Sequence, residues 1–370
     1  MINRICIIGG GNLGMALAVE IGKNTKSEII LLTSKYKIFN KTITSINTDN
    51  NLSNSTKLFL ITDNYAKALK NVDIIFVTIP AFLIKNVVNN LILTKKTIII
   101  LVPGSGGREF HFKKLADQGH QIIGLDRVPF IARISEPGKT VLSSKKPQFR
   151  FSTINNLDNQ YIEKLLSLFL DIKAIPISNY LNITFTPSNQ ILHTSRIYAM
   201  LQKKLITDSF DHLIKFYAEW DDLSSEILLS ADFELQNICK IYKLSEVIPI
   251  KIHYESENAQ ELTKKIISIK SLSNINSPFI HKNNKYFVDP ESRYFQEDFP
   301  FGLFIIKDFA LIADVNTPII DKIINWYTSF FNFENFLNLN TKNEYFQHLS
   351  LPRNFDLKLV NDVLNYYNIK

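Results

Sequence analysis

The chain has 370 residues, too many for one ordinary hydrophobic core, so two domains are expected. No stretch reaches the ~18 uninterrupted apolar residues of a membrane-spanning helix, and the chain opens on an apolar strand rather than on a signal-peptide pattern. A net charge of +7 arrives as scattered lysine pairs without aromatic interleaving, which excludes a single-strand nucleic-acid binder and leaves a solvated surface or a mildly positive cleft for small anions.

The two cysteines, Cys6 and Cys239, read as core residues rather than as a disulfide or a metal pair, and the expected setting is a reducing cytoplasm.

The most informative passage comes first. Residues 4–8 form an apolar strand; Gly9, Gly11 and Gly14 follow at G-x-G-x-x-G spacing; then come small and apolar residues suited to a helix. Gly9 allows the tight turn, Gly11 lets a pyrophosphate approach the backbone, and Gly14 lets the helix pack close to the strand. The helix opening at Asn12 and Leu13 would point free N–H groups and its positive dipole end at the phosphates. Directly after a strand and before a second one, this spacing predicts dinucleotide binding.

Further strands are expected at 28–32, 58–61, 73–78, 97–102 and 121–125, alternating with helical patterns as in a parallel sheet. Strand-like runs follow at 139–142, 149–153 and 173–177, with a helix at 160–170. From about Pro187 the apolar spacing becomes helical, through 190–206, 210–242, 259–269, 317–331 and 357–367. The expected architecture is an α/β Rossmann-type dinucleotide-binding domain over residues 1–180, then a mostly helical substrate domain over 181–370.

Where an NAD site usually offers an acidic residue to the ribose, this chain has Thr33, Ser34 and Lys35. Hydroxyls and a cation suit a 2′-phosphate, so NADP(H) is favoured over NAD(H). The competing view of Lys35 is an exposed loop lysine. Two more loops leave strand ends: Pro80, Ala81 and Phe82 in one, Gly104 with Ser105, Gly106 and Gly107 in the other. Both are expected to line the cofactor.

Thr186 and Pro187 look like a helix start, with Thr186 as cap and Pro187 at the first position. Asn189, His193 and Arg196 then share one face, expected to be aimed at the nicotinamide, with Asn189 and Arg196 as candidate substrate ligands, and histidine exchanges protons near neutral pH. Periodicity alone would make His193 a structural residue. Asp298, ahead of Phe299-Pro300, reads as a helix N-cap. Arg293 is a candidate clamp for a substrate carboxylate, because its planar fork matches that group; Arg127 and Arg133 are weaker candidates. Trp220 reads as a core anchor among solvated acids. The remaining histidines lack metal-ligand spacing, so no metal is expected.

These passages together resemble the opine dehydrogenase family, of octopine and nopaline type. The resemblance rests on the glycine fingerprint, on Ile79-Pro80-Ala81-Phe82 with the loop at 103–107, on Asn189-x-x-x-His193, and on residues 293–303. That last segment is similar to the family's Glu-Asp-aliphatic-Pro-aromatic-Gly-Leu pattern and is the most specific. One position departs: Thr194 follows His193 where the family often carries proline, which bears on subfamily and substrate. The resemblance implies NAD(P)H-dependent reductive condensation of an amino acid with an α-keto acid, through an imine, to a secondary-amine dicarboxylate. It also implies that Asp298 pairs with His193, fixing its tautomer and favouring its protonated form.

Two other functions fit the residues: reduction of a simple keto acid without an amine partner, and a non-catalytic dinucleotide-binding regulator. They differ from condensation in whether turnover needs an amine, or occurs at all. The aromatic stretch of Trp326, Tyr327, Phe330, Phe331, Phe333 and Phe336 is expected in the core, with a homodimer surface as the alternative.

Overall fold

The structure, a computed structural model, describes residues 2–48, 50–155, 158–332 and 344–370. The chain divides into two compact units, Met1–Thr184 and Phe185–Lys370.

The first unit runs β1 Arg4–Ile8, α1 Asn12–Asn24, β2 Glu28–Leu32, β3 Thr42–Asn47, β4 Ser53–Lys57, β5 Leu60–Thr62, α2 Tyr65–Ala68, β6 Ile74–Val77, α3 Ile84–Asn89 and β7 Ile98–Leu101. It continues with α4 Arg108–Asp117, β8 Gln121–Leu125, β9 Phe130–Glu136, β10 Lys139–Lys145, β11 Gln148–Thr153, α5 Asn159–Leu170, β12 Lys173–Pro176 and α6 Leu181–Thr184. Eight strands form one sheet in the order β12-β11-β8-β7-β6-β1-β2-β5, parallel except for the β11–β8 pair. Strands β1, β6 and β7 carry Ile, Val, Phe and Leu on both faces because both faces are covered, and Ile5, Ile7, Ile74, Phe76 and Ile100 lose all solvent contact. Each such side chain contributes about 1.5–3 kcal/mol of burial.

The chain passes from β1 outward through β2 to β5, then returns to the other side of β1 at β6. That reversal sets a topological switch point between the carboxyl ends of β1 and β6, where open α/β sheets bind ligands. Thr78 closes the gap: its hydroxyl donates to the Ile8 carbonyl oxygen at 3.0 Å. A second, four-stranded sheet in the order β4-β3-β10-β9 was not expected from the sequence. Its strands β3 and β4 are rich in Ser, Thr, Asn and Lys, and that polarity hides the alternation.

The second unit holds α7 Asn189–Leu201, β13 Ser209–Phe210, α8 Asp222–Ile241, α9 Ile250–Tyr254, α10 Ala259–Ile267, β14 Phe279–Lys282 and β15 Lys285–Val288. A π-helical segment, Tyr294–Leu303, leads into α11 Phe304–Ile312, followed by α12 Pro318–Phe330, α13 Glu344–Gln347 and α14 Val360–Tyr366. The unit is mostly helical, with one small antiparallel sheet in the order β13-β15-β14. Aromatic rings fill its core: Phe185 lies 5.1 Å from Phe309, and Phe299 stacks on Tyr327 at 4.3 Å. Tyr327 and Phe330 are buried, Trp326 and Phe331 half-buried, while Phe333 and Phe336 lie outside the described residues.

Two expected helices change at their starts. The helix expected over 210–242 begins only at Asp222, where Asp221 caps it by accepting the Ser224 N–H at 2.8 Å. The residues before it form a loop with Phe216, Tyr217 and Trp220 buried. Helix α7 begins at Asn189 with Ser188 at the cap position, so Thr186 and Pro187 lie ahead of it.

Candidate functional site

In the first unit, Gly9 has φ +116°, a conformation that L side chains rarely adopt. A Cβ on Gly14 would stand 1.8 Å from the Gly9 carbonyl oxygen, so α1 reaches the β1 turn only without a side chain there. Gly11 differs: nothing lies within 4 Å of where its Cβ would be. Gly11 also caps α1, with no side-chain hydrogen bond to the first turn and no acidic residue in it. A helix start with unclaimed N–H groups, a positive dipole end and open space over Gly11 fits a pyrophosphate. Asn12 has a structural task as well, since its Oδ1 accepts the Ile134 N–H at 2.8 Å.

At the end of β2, an open pocket of about 600 Å³ lies against Ser34, Lys35, Tyr36, Lys37, Ile38 and Asp63. Thr33 does not share it. Its side chain is buried, and its hydroxyl accepts the Lys35 N–H at 3.2 Å, which shapes the turn. After β6, Ala81 is buried, Pro80 half-buried and Phe82 exposed. Arg108, absent from the expected site, stitches two loops together: it donates to the carbonyl oxygens of Ile79 at 2.7 Å and of Ser105 at 2.9 Å. Gly104 has a packing task of its own. The space a side chain would take is filled by the Tyr180 hydroxyl at 2.8 Å and the Gly124 backbone at 2.6 Å, so this glycine serves packing. Tyr180 also donates to the Gly104 carbonyl oxygen at 2.9 Å.

In the second unit, His193 sits in the middle of α7 and is held at both ring nitrogens. Nδ1 lies 2.8 Å from Asp298 Oδ2, and Nε2 lies 2.8 Å from the Tyr217 hydroxyl. The ring of Phe216 meets the imidazole edge-on at 5.2 Å, and Tyr294 lies against it at 4.7 Å. Asp298 is not a helix cap. It lies inside the π-helical segment, whose widened turn carries Tyr294 and Asp298 to the same imidazole. Burial pushes the Asp298 carboxyl above the usual carboxylate range, and the adjacent His193 opposes that only in part.

The other expected site residues separate. Asn189 is exposed at the first turn of α7. Arg293 is largely exposed and pairs with Glu297 one turn later, with Nε at 2.7 Å from Oε2. Arg133 is exposed on β9 and donates to the Ala132 carbonyl oxygen, while Arg127 stands among the charges of Asp126 and Lys146. Arg196, expected as a substrate ligand, is engaged by the protein itself. Its guanidinium is buried and donates to Asp221 Oδ2 at 2.8 Å, to the Ser224 hydroxyl at 3.0 Å and to the carbonyl oxygens of Phe216 at 3.3 Å and Glu219 at 2.5 Å. It anchors the loop that carries Tyr217.

Tyr217 itself was missed, because the sequence reading placed it inside a continuous helix. The signal that could have revealed it is Phe216-Tyr217-x-x-Trp220 just ahead of the capping Asp221. Among the described residues no group of three or more His, Cys, Asp or Glu could hold a metal ion, and no helix is long and apolar enough to cross a membrane.

Two family models match the chain. Residues 176–331 match the model of the NAD/NADP octopine/nopaline dehydrogenase alpha-helical domain, and residues 4–120 match the NAD-dependent glycerol-3-phosphate dehydrogenase N-terminus. Tauropine dehydrogenase of Arabella iricolor is 26% identical over 87% of this chain and 90% of its own length. The chain is thus similar to opine dehydrogenases, over its helical part and along most of its length. These relatives indicate an NAD(P)-dependent oxidoreductase acting on CH–NH donors. In fold, the chain is similar to octopine dehydrogenase in complex with NADH and agmatine, with TM-score 0.85, 19% identity and 98% of each chain covered. A yersinopine dehydrogenase with NADP+ bound has TM-score 0.72 at 14% identity, covering 96% of this chain and 97% of its own.

Proposed function

We propose that the protein catalyses reductive condensation of an amino acid with an α-keto acid to a secondary-amine dicarboxylate. The observation that carries this reading is the 2.8 Å bond between His193 and Asp298 in the helical unit of a chain whose other unit opens on a dinucleotide turn. His193 serves as general acid and base at the carbonyl, and Asp298 holds Nδ1–H so that Nε2 does the exchange. Arg293 is proposed to meet a substrate carboxylate by exchanging Glu297 for it.

Gly9, Gly11, Asn12, Leu13 and Gly14 would hold the pyrophosphate, with Pro80, Ala81 and Phe82 along the dinucleotide. When bound, the nicotinamide supplies a hydride to the imine carbon. NADP(H) is favoured over NAD(H), on the strength of Ser34, Lys35 and Lys37 lining one pocket at the end of β2. Asp63 on the same pocket works against a 2′-phosphate, so the preference is a matter of degree. A reducing cytoplasm is proposed from the two buried free thiols.

The test is oxidation of NADPH and of NADH with pooled amino acids, with pooled α-keto acids, and with both. Oxidation that needs both pools is the expected result. Oxidation with keto acids alone would turn the assignment to a simple reductase, and cofactor binding without turnover in any mixture would favour a regulator.

A further inference from the structure

We propose that the Tyr217 hydroxyl is the group that hands protons between His193 and the substrate. This rests on the condensation reading and adds a catalytic residue to it.

The argument starts from the imidazole. Its Nδ1 is taken by the Asp298 carboxylate at 2.8 Å, so protons leave or enter through Nε2, and Nε2 meets the Tyr217 hydroxyl at 2.8 Å. A phenol donates one hydrogen bond and accepts others, so it can take a proton from Nε2 while releasing its own.

A tyrosine could instead be a gate that swings away when substrate arrives. The surroundings of Tyr217 argue against movement. Its ring lies parallel to Trp220, with centroids 6.2 Å apart and planes within 11°. The Trp220 indole donates to the Ser225 hydroxyl at 2.9 Å. The preceding residue, Phe216, is fully buried, donates its N–H to the Ile275 carbonyl oxygen at 2.8 Å and accepts from Arg196. The Trp220 N–H donates to the Tyr217 carbonyl oxygen at 3.2 Å. A side chain fixed along its backbone and across its ring is suited to pass a proton in place.

In the dehydration step, amine addition has already turned the keto carbonyl into a carbinolamine. The Tyr217 O–H bond breaks as its proton goes to the carbinolamine hydroxyl, and the phenol oxygen takes the Nε2 proton of protonated His193. The C–O bond breaks and water leaves. The nitrogen lone pair forms the C=N bond, giving an iminium and neutral His193, with one proton moved and charge conserved.

The experiment is Tyr217→Phe, assayed with the amino acid, keto acid and cofactor that wild type requires. The expected result is a kcat loss of about 100-fold or more, the range of general acid–base catalysis, with both substrate KM values and cofactor Kd within about threefold. In 15N-labelled enzyme the His193 Nε2 resonance should shift while Nδ1 stays, a readout that needs no turnover. A kcat within about threefold of wild type overturns the relay, and a raised kcat would mean that the hydroxyl blocks the site. Should the variant fold poorly, 3,5-difluorotyrosine at position 217 keeps ring and hydroxyl but makes the phenol more acidic. A kcat–pH profile that follows this acidity supports the relay, and an unmoved one overturns it. If wild type turns over without an amine, the condensation reading fails, whereas the effect of Tyr217→Phe on that turnover still judges the relay.

Discussion

Arg196 donates from Nε to the carbonyl oxygen of Phe216 at 3.3 Å, and so one residue of α7 secures the neighbour of the tyrosine that touches His193, one turn earlier on the same helix. An arginine read from the sequence as facing substrate faces the protein instead. Arg196→Met is therefore expected to lower stability by about 3 kcal/mol, the low end for breaking a buried pair because Asp221 is half-exposed and would rehydrate. In thermal unfolding this is a fall of roughly 10 °C in Tm. An unchanged Tm with a raised amino-acid KM would restore the substrate role.

His193→Ala should abolish turnover, by about 100-fold or more in kcat, while cofactor Kd measured by fluorescence titration stays at the wild-type value. Asp298→Asn should lose less than His193→Ala, because an amide can still accept from Nδ1 but carries no charge. Retained turnover in the histidine variant would remove His193 from the chemistry.

The fingerprint glycines should separate by experiment. Gly14→Ala places a Cβ against the Gly9 oxygen and is expected to destabilise the first unit, seen as a lower Tm without any ligand. Gly11→Ala meets open space, so its Tm should match wild type while cofactor Kd weakens. Unaltered binding in Gly11→Ala would place the pyrophosphate elsewhere.

Lys35→Glu should reduce kcat/KM for NADPH by about 10–100-fold, the value of a charge-assisted hydrogen bond, with little change for NADH. Equal losses for both cofactors would mean that Lys35 supports the loop rather than a 2′-phosphate.

Asp232 gives stability a pH dependence. Burial raises its carboxyl from 3.8 to about 6, against the opposing hydrogen bonds from the Ile250 N–H and Gln236. The folded state thus holds this proton more tightly than the unfolded chain. The stability it contributes is full below about pH 4 and is lost as pH rises through about 6, on the order of 2–3 kcal/mol in total. Urea unfolding of Asp232→Asn, which keeps an acceptor for Ile250, should show a flatter profile than wild type between pH 4 and 7.

Much of the first unit was legible because its signals are local. A β-branched run ending in Gly9 can only be a strand and its turn, and β1, β2 and β8 fall where the apolar runs place them. The second sheet was not legible, since Ser53, Asn54, Ser55 and Lys57 of β4 carry no apolar alternation and are ordered by pairing with β3. In the helical unit, His193 and Asp298 lie 105 residues apart, and their 2.8 Å contact follows from how α7 packs on the π-helical segment, which no local pattern encodes. Family resemblance supplied that pairing. Tyr217 had neither aid, because helical spacing ran smoothly across a loop that Arg196 and Trp220 hold out of helix.

The π-helical stretch that carries Asp298 contains Pro300, which lacks a backbone N–H, and Phe301 with φ −106° and ψ 19°. A wide turn of this kind behaves as one surplus residue stored within a helix. Shortening it by one position, at the exposed Gln296 for instance, would let the segment relax to α geometry. Tyr294 and Asp298 would then stand three positions apart instead of four, on one helix face but shifted along it. The aromatic core around α11 and α12 would keep its composition, while the spacing that now sets Tyr294 and Asp298 on one imidazole would be lost. Chain length at this point is thus as much a determinant of the dyad as the identity of its residues.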